Sequence, residues 1–288
     1  MEELKIVKNI KCLQEIVFQV KKKKQSIGFI PTMGSLHAGH LSLIEAAASE
    51  NDFTICSIYI NPTQFNDKND FNTYPRSYET DIELLKSLDC DLVFLPKDKE
   101  MYPSNKSIVN YNFTFCMNIL EGEKRPGHFS GVVNIVNTLF NLTRPSRAYF
   151  GEKDYQQLWI IKSFVKNFQL PIKIRSCPTI RDSTGLALSS RNDNLNKEEK
   201  IQATHLFKTL QKFKLSLESE SPKGGIIDVK KNFINFFTKN SLIKLDYIEI
   251  IDEENFSFVN RIKKNIKYRI LIAAHVGRTR LIDNIPIG

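Results

Sequence analysis

The stretch IGFIPTMGSLHAGHLSLIEAAASEN (27–51) starts as a strand and ends as a helix. IGFIPT (27–32) is a short, nearly continuous apolar run, as expected of a strand buried on both faces. HLSLIEAAASEN (40–51) carries its apolar residues at helical spacing. Between them lies TMGSLHAGH, with histidines at 37 and 40 and glycines at 34 and 39. Strand, glycine-bearing turn and helix form one unit of a parallel sheet, so the fold depends on whether the unit repeats.

It repeats. FTICSIYI (53–60) is β-branched and apolar; a polar loop follows, then YETDIELLKSL (78–88), whose early acids suit a helix start. DLVFLP (91–96) is a strand and FSGVVNIVNTLFNLT (129–143) a helix. AYF (148–150) precedes the amphipathic DYQQLWIIKSFVKNF (154–168), and IKIRSCP (172–178) closes the series. This alternation predicts an α/β fold, a doubly wound parallel sheet with helices on both faces. After about residue 185 the character changes. A lysine-rich helix (197–217), a turn or linker SESPKGG (219–225) and a second helix (226–239) precede the strands LDYIEIID (245–252) and YRILIAAHV (268–276). Few helices separate these strands, which predicts a smaller α+β domain over 186–288 beside a first domain over 1–185.

Composition narrows the classes. The 288 residues are 41% hydrophobic and 25% charged, a globular balance. No uninterrupted apolar run reaches the ~18 residues of a membrane span. MEELKIVKNIKCLQ is charged throughout, unlike a secretory leader, and an intracellular, cytoplasmic protein is expected. Five scattered cysteines without a CxxC pair argue against a disulfide framework, a zinc site or a thiol nucleophile. The net charge of +9 fits either nucleic acid or a small anionic substrate. The lysines are dispersed apart from Lys21–Lys24, which reads as a solvated turn, and neither RNP-like aromatics nor a clustered basic stripe is present, so nucleic acid is not the expected partner.

In a doubly wound sheet, ligands bind beyond the carboxyl ends of the strands. The unusual polar clusters fall there: TMGSLHAGH, NPTQF (61–65), KDKEMYP, GEKDYQQ (151–157) and TIRDSTGLALSSRN (179–192). For His37 and His40 three readings compete. Gly34 and Gly39 permit close backbone approach and a helix N-terminus attracts anions, which favours a phosphate grip. The histidines could instead cap the helix, or bind metal, although the only local acid, Glu45, lies within the helix. Lys153 stands at a helix mouth as a point charge for phosphate. Ser189, Ser190 and Arg191 of LSSR add donors. Gln64 and Gln157 follow strand ends and can donate and accept, as a substrate with hydroxyls and a carboxylate needs. Arg125 and His128 of RPGHFSG precede a helix. Neither a Walker loop, a G-x-G-x-x-G fingerprint nor a G-x-S-x-G elbow occurs.

Seven blocks in order, PTMGSLHAGH, NPTQF, YPR (74–76), RPGHFSGV, GEKDYQQL, GLALSSRN and the terminal GRTRLIDNI, resemble the pantothenate synthetase (pantoate–β-alanine ligase) family of HxGH nucleotidyltransferases. The resemblance runs from about residue 27 to 286. It implies a Rossmann-like first domain that binds ATP and pantoate, a smaller C-terminal domain that closes over the site, and a homodimer. It also implies the ATP- and Mg²⁺-dependent joining of (R)-pantoate to β-alanine through a pantoyl adenylate, with AMP and pyrophosphate released. By the same resemblance Met33, Gly34, Ser35, Leu36, His37, Ala38, Gly39 and His40 form an ATP loop, with His40 as proton donor. Gly151, Glu152, Lys153 and Asp154 form a second ATP segment, and Leu188, Ser189, Ser190 and Arg191 a third. Ile180 contacts adenine through its backbone. Gln64 and Gln157 hold pantoate, Gln64 also meets β-alanine, and Asn61, Arg125 and His128 line the substrate pocket. No protein metal ligands are assigned, and Asp70, Asp154 and Asp182 stand open as indirect metal contacts. The rival within the superfamily is an enzyme that moves a nucleotidyl group onto a phosphate ester; NPTQF and the two glutamines favour a carboxylate acceptor.

Overall fold

The structure, a computed structural model, describes residues 3–103, 108–218, 225–238 and 242–287. The turn expected at 219–225 lies, except for its last residue, outside them. The chain divides into two compact units, Met1–Glu152 with Gln156–Pro178, and Lys153–Tyr155 with Thr179–Gly288. This division and the one expected at 185/186 share the C-terminal sheet. They differ over 179–185 and over Lys153–Tyr155.

The first unit holds six parallel strands, β1 (Lys5–Val7), β2 (Ile27–Thr32), β3 (Phe53–Ile58), β4 (Leu92–Phe94), β5 (Arg147–Gly151) and β6 (Lys173–Cys177), in the order β1-β4-β3-β2-β5-β6. Side chains alternate across the strands, so the two sheet faces bury different sets. Ile30, Cys56, Val93 and Tyr149 pack with Leu43, Ile44 and Ala47 of the helix Ala38–Glu50. Phe29 meets Phe140 of the helix His128–Thr143 edge-on at 6.3 Å, and the helix Ile10–Lys22 packs beside that helix. Each large apolar side chain buried this way stabilises the fold by about 1.5–3 kcal/mol. From β2 the chain steps to β3 and β4 on one side and later to β5 and β6 on the other. The reversal lies between β2 and β5, whose carboxyl ends lead into TMGSLHAGH and GEKDYQQ.

Two elements depart from expectation here. β1 is a three-residue edge strand, too short to show a period in the sequence. The supposed polar loop after β3 contains a 3₁₀ turn, Pro62–Gln64, and a helix, Lys68–Thr73. Side-chain caps make both: Asn61 accepts the amide of Thr63, and Asp67 that of Asn69.

In the second unit the antiparallel strands β7 (Ile243–Asp252), β8 (Tyr268–Val276) and β9 (Thr279–Ile287) form one sheet. The helices Lys197–Glu218 and Gly225–Thr238 cover it, and Leu210, Phe213, Ile248, Ile270 and Ile272 fill the core. Gly277, with φ of +57°, supplies the left-handed backbone of the two-residue turn between β8 and β9. β9 escapes sequence reading because buried Asp283 and Asn284 interrupt its apolar alternation. No helix of the described residues is long and apolar enough to cross a membrane.

Candidate active site

After β2 the backbone turns through left-handed conformations at Gly34 (φ +84°) and Ser35 (φ +52°). A non-glycine residue there costs roughly 1–3 kcal/mol unless its surroundings hold it. Asp81 does the holding. It is 1% exposed, and its carboxylate accepts the amides of Ser35 at 2.9 Å and Leu36 at 2.8 Å and the hydroxyl of Ser77 at 3.2 Å. Gly34 donates to Thr32 Oγ1, which itself donates to the carbonyl of Ser57. A Cβ on Gly34 would meet Asp81 Oδ2 and Ile58 Cγ2 at 2.9 Å. Sequence reasoning assigns the early acids of YETDIELL to the helix dipole and so misses Asp81; only a long-range contact reveals its partner.

His37 is the N-cap of the helix Ala38–Glu50. Its Nδ1 accepts the amide of Gly39 at 3.1 Å, and His40 Nδ1 accepts the amide of His37 at 3.4 Å, a reciprocal capping box made of two imidazoles. The rings lie 4.2 Å apart. Capping engages Nδ1 of each ring. A neutral ring that accepts through Nδ1 carries its proton on Nε2 and is a donor there. Ala38 and Gly39 are the first helical residues, and Glu45 is exposed.

The β3 end builds a second cluster. Asn61 Nδ2 donates to Gln64 Oε1 at 3.0 Å and to the carbonyl of Gly131 at 3.2 Å. Gln64 is buried, and its Nε2 lies 2.9 Å from the Met33 sulfur. His128 Nδ1 is 2.7 Å from the Gln64 carbonyl, and Arg125 Nη1 is 3.3 Å from His128 Nε2. Tyr102 donates to Asn61 Oδ1 at 2.8 Å; burial raises the pKa of its phenol, which keeps the proton in place. Gly131 permits this closeness, because a Cβ there would strike the Thr63 carbonyl. Met33, Asn61, Gln64, Arg125 and His128 thus form one contact network. Gln157, half-buried on the helix Tyr155–Asn167, makes no hydrogen bond with it among the described residues. Its neighbour Gln156 is structural, donating to the carbonyls of Cys116 and Ile119 and accepting from Glu121.

In the second unit, Lys153 follows β5 within the 3₁₀ turn Glu152–Asp154, its Nζ 3.6 Å from the exposed Asp154 carboxylate. Ile180 accepts the amide of Leu188 at 3.0 Å, closing the loop between them. Ser189 caps the 3₁₀ turn Ser190–Asn194 by accepting the amide of Arg191. Asp182 is occupied by this loop. Burial alone would raise its pKa, but hydrogen bonds from Thr184 and from the amides of Leu186 and Gly185 hold it below the ordinary carboxylate value. Four cysteines are buried, and burial pushes their thiols up, Cys90 to about 12, which disfavours thiolate chemistry.

Comparison with known proteins agrees over nearly the full length. Residues 5–286 match the family model described as pantoate–β-alanine ligase. The pantothenate synthetase of Thermosipho africanus (strain TCF52B) is 43% identical over 284 residues, 99% of this chain and all of the relative. That of Clostridium botulinum (strain Loch Maree / Type A3) is 45% identical over 281 residues, 98% of each chain. The crystal structure of pantothenate synthetase from Thermus thermophilus superimposes with a TM-score of 0.89 at 34% identity, covering 98% of each chain. That of pantoate–β-alanine ligase from Francisella tularensis, complexed with β-γ ATP and β-alanine, gives a TM-score of 0.80 at 39% identity over 98% of this chain and 97% of that one. A strand-end histidine loop, a buried glutamine network and full-length similarity therefore lead to one conclusion: the chain belongs to the pantoate–β-alanine ligase family.

Proposed function

We propose that this enzyme joins pantoate to β-alanine through an enzyme-bound pantoyl adenylate. The observation that carries this reading is the histidine-capped helix that starts at the reversal point of the sheet. The positive end of its dipole and its two imidazoles suit an anion, and the Francisella tularensis relative is complexed with β-γ ATP and β-alanine. The carboxylate oxygen of pantoate attacks the α-phosphorus of ATP. The bond from that phosphorus to the bridging oxygen breaks, and pyrophosphate leaves with the electron pair. His37, His40, Lys153, Ser189, Ser190 and Arg191 stabilise charge on the phosphates, and removing a donor of this kind typically costs about 3 kcal/mol of barrier. His40 donates a hydrogen bond from Nε2 to the departing phosphate, stabilising its charge. The deprotonated amine of β-alanine then attacks the acyl carbon, AMP leaves with the C–O electron pair, and the amine's remaining surplus proton passes to solvent.

Gln64 holds pantoate, with its amide oriented by Asn61 and Met33, and Gln157 is a second contact. Arg125 and His128 line the same pocket. The role is positional, worth most when the carboxylate is kept near the α-phosphorus. Gly151, Glu152 and Asp154 belong to the ATP segments, as do Met33 to Gly39 and Leu188; Ile180 meets adenine through its backbone. The first unit binds pantoate and the C-terminal domain closes over the site, excluding water from the adenylate. No group of three or more His, Cys, Asp or Glu that could hold a metal occurs among the described residues. Mg²⁺ would be carried by the triphosphate and would supply charge neutralisation there.

The enzyme is further proposed to be a cytoplasmic homodimer. Five unpaired cysteines fit a reducing compartment. Ile108, Val109, Phe115 and Phe168 of the first unit are exposed apolar side chains, of the kind that pairing buries. Sedimentation equilibrium reads the oligomeric state directly. For the chemistry, ATP–pyrophosphate exchange is decisive: it is expected to require pantoate and to run without β-alanine. Exchange without pantoate, or none with it, would overturn the adenylate route.

A further inference from the structure

The terminal GRTRLIDNI block has no part in the chemistry above, yet two of its polar residues are almost fully buried, Asp283 at 5% exposure and Asn284 at 4%. Their partners explain it. Asn284 Nδ2 donates to the backbone carbonyl of Lys153 at 2.9 Å, and its Oδ1 accepts from Arg269 Nη1 at 2.6 Å. Arg269 donates through Nε to Glu253 at 2.7 Å and lies 3.9 Å over the ring of Tyr155. That ring stacks on Phe256 at 6.5 Å. Asp283 receives both terminal nitrogens of Arg181, at 2.6 and 2.8 Å. Arg181 also donates to the Gly185 carbonyl and covers the Phe207 ring at 3.8 Å. Two adjacent positions of β9 thus hold both segments that carry phosphate donors, one through Lys153 and the other through Arg181.

We propose that Asn284 is a positioning residue for ATP, acting through Lys153; the inference rests on the proposed role of Lys153 in gripping the triphosphate. The amide meets both demands at this place, accepting from Arg269 while donating to a carbonyl. Lys153 to Tyr155 belong to the C-terminal unit although the residues on either side belong to the first. The backbone of Lys153 is therefore held by β9 as well as by the strand it leaves. A lysine side chain has four rotatable bonds, so the place of its Nζ is only as well defined as the backbone that carries it. Displacing a contact group by about 1 Å can cost 100-fold in rate. The Glu253–Arg269–Asn284 chain removes that freedom before ATP arrives.

The test uses Asn284→Asp, which keeps the acceptor for Arg269 and the shape, and replaces the donor to Lys153 with an acceptor oxygen that opposes its carbonyl. In pantoate-dependent ATP–pyrophosphate exchange the KM for ATP is expected to rise about tenfold, the scale of one buried hydrogen bond. The KM for pantoate should stay within twofold. In a Lys153→Ala background the same change should add no further loss, because the residue acts through that lysine. A wild-type KM for ATP in Asn284→Asp, or an undiminished extra loss in the Lys153→Ala background, would overturn the inference. Lys153→Ala alone separates the premise from the inference: if it leaves the ATP dependence unchanged, the phosphate role of Lys153 fails first. If Asn284→Asp does not melt cooperatively, Asn284→Ser, too short to reach the carbonyl, is measured against the same outcomes.

Discussion

His40 Nδ1 accepts the backbone amide of His37, and the two imidazole rings lie 4.2 Å apart. One pair of side chains therefore terminates a helix through Nδ1 of each ring, and the proposed mechanism assigns the Nε2 atoms to phosphate. Substitution can separate these roles. Asn is as good an N-cap as any side chain but lacks the imidazole. His37→Asn is expected to melt near the wild type while exchange falls by about 100-fold, and His37→Ala to lose about 1 kcal/mol of stability as well. For His40→Ala the expected outcome is loss of adenylation with the fold intact by circular dichroism. Unchanged turnover would remove that histidine from the mechanism.

Asp81 holds the strained turn at Gly34 and Ser35 from a helix further along the chain, accepting the amides of Ser35, 46 residues before it, and Leu36. Asp81→Asn turns one accepting oxygen into a donor facing an amide. A stability loss of about 2–3 kcal/mol is expected, since hydrogen bonds to a buried carboxylate are strong. The KM for ATP should rise with it. Urea unfolding and exchange kinetics on one preparation give both quantities.

Gln64 sits at the centre of the Asn61–Met33–His128 network. Gln64→Ala is expected to raise the KM for pantoate at least tenfold, as when a site built to hydrogen-bond its substrate loses the partner. The KM for ATP should move little. The reverse pattern would reassign the pocket.

A pH dependence follows from Glu50. A hydrogen bond from Arg175 at 2.6 Å is the main cause of its lowered pKa; burial opposes the shift, and Tyr149 and Arg147 add to it. With the folded value below the unfolded one of about 4.3, the contribution is complete at neutral pH and is lost as pH falls through the folded pKa. The stability gap between wild type and Glu50→Gln should therefore be full at pH 7 and narrow as pH falls below the unfolded value of about 4.3. Urea melts across pH 3–7 check this. A gap of the same size at every pH would assign the effect to packing.

Strong periodicity explains which parts of the fold were legible. IGFIPT, YRILIAAHV and the valine-rich helix after RPGH announce themselves by burial pattern, because the hydrophobic effect writes a period into any element with a buried face. β1 and β9 do not: one is three residues long, and the other spends inward positions on Asp283 and Asn284. The same contrast holds in the site. His37, Lys153 and Arg191 stand in short conspicuous blocks at strand ends. Asp81 sits in an ordinary amphipathic helix, and Asn284 in a block with no visible chemistry.

From residue order alone come the alternating units, the edge where the polar loops gather and the family those blocks belong to. All three depend on local pattern, which is carried by neighbours in the chain. Tertiary structure alone decided which nitrogen of each imidazole caps the helix, which carboxylate holds the Ser35 turn, and that Lys153 is fixed by a residue 131 positions away. Hydrogen bonds between distant segments leave no period in a sequence, because their partners are neighbours only in the folded chain.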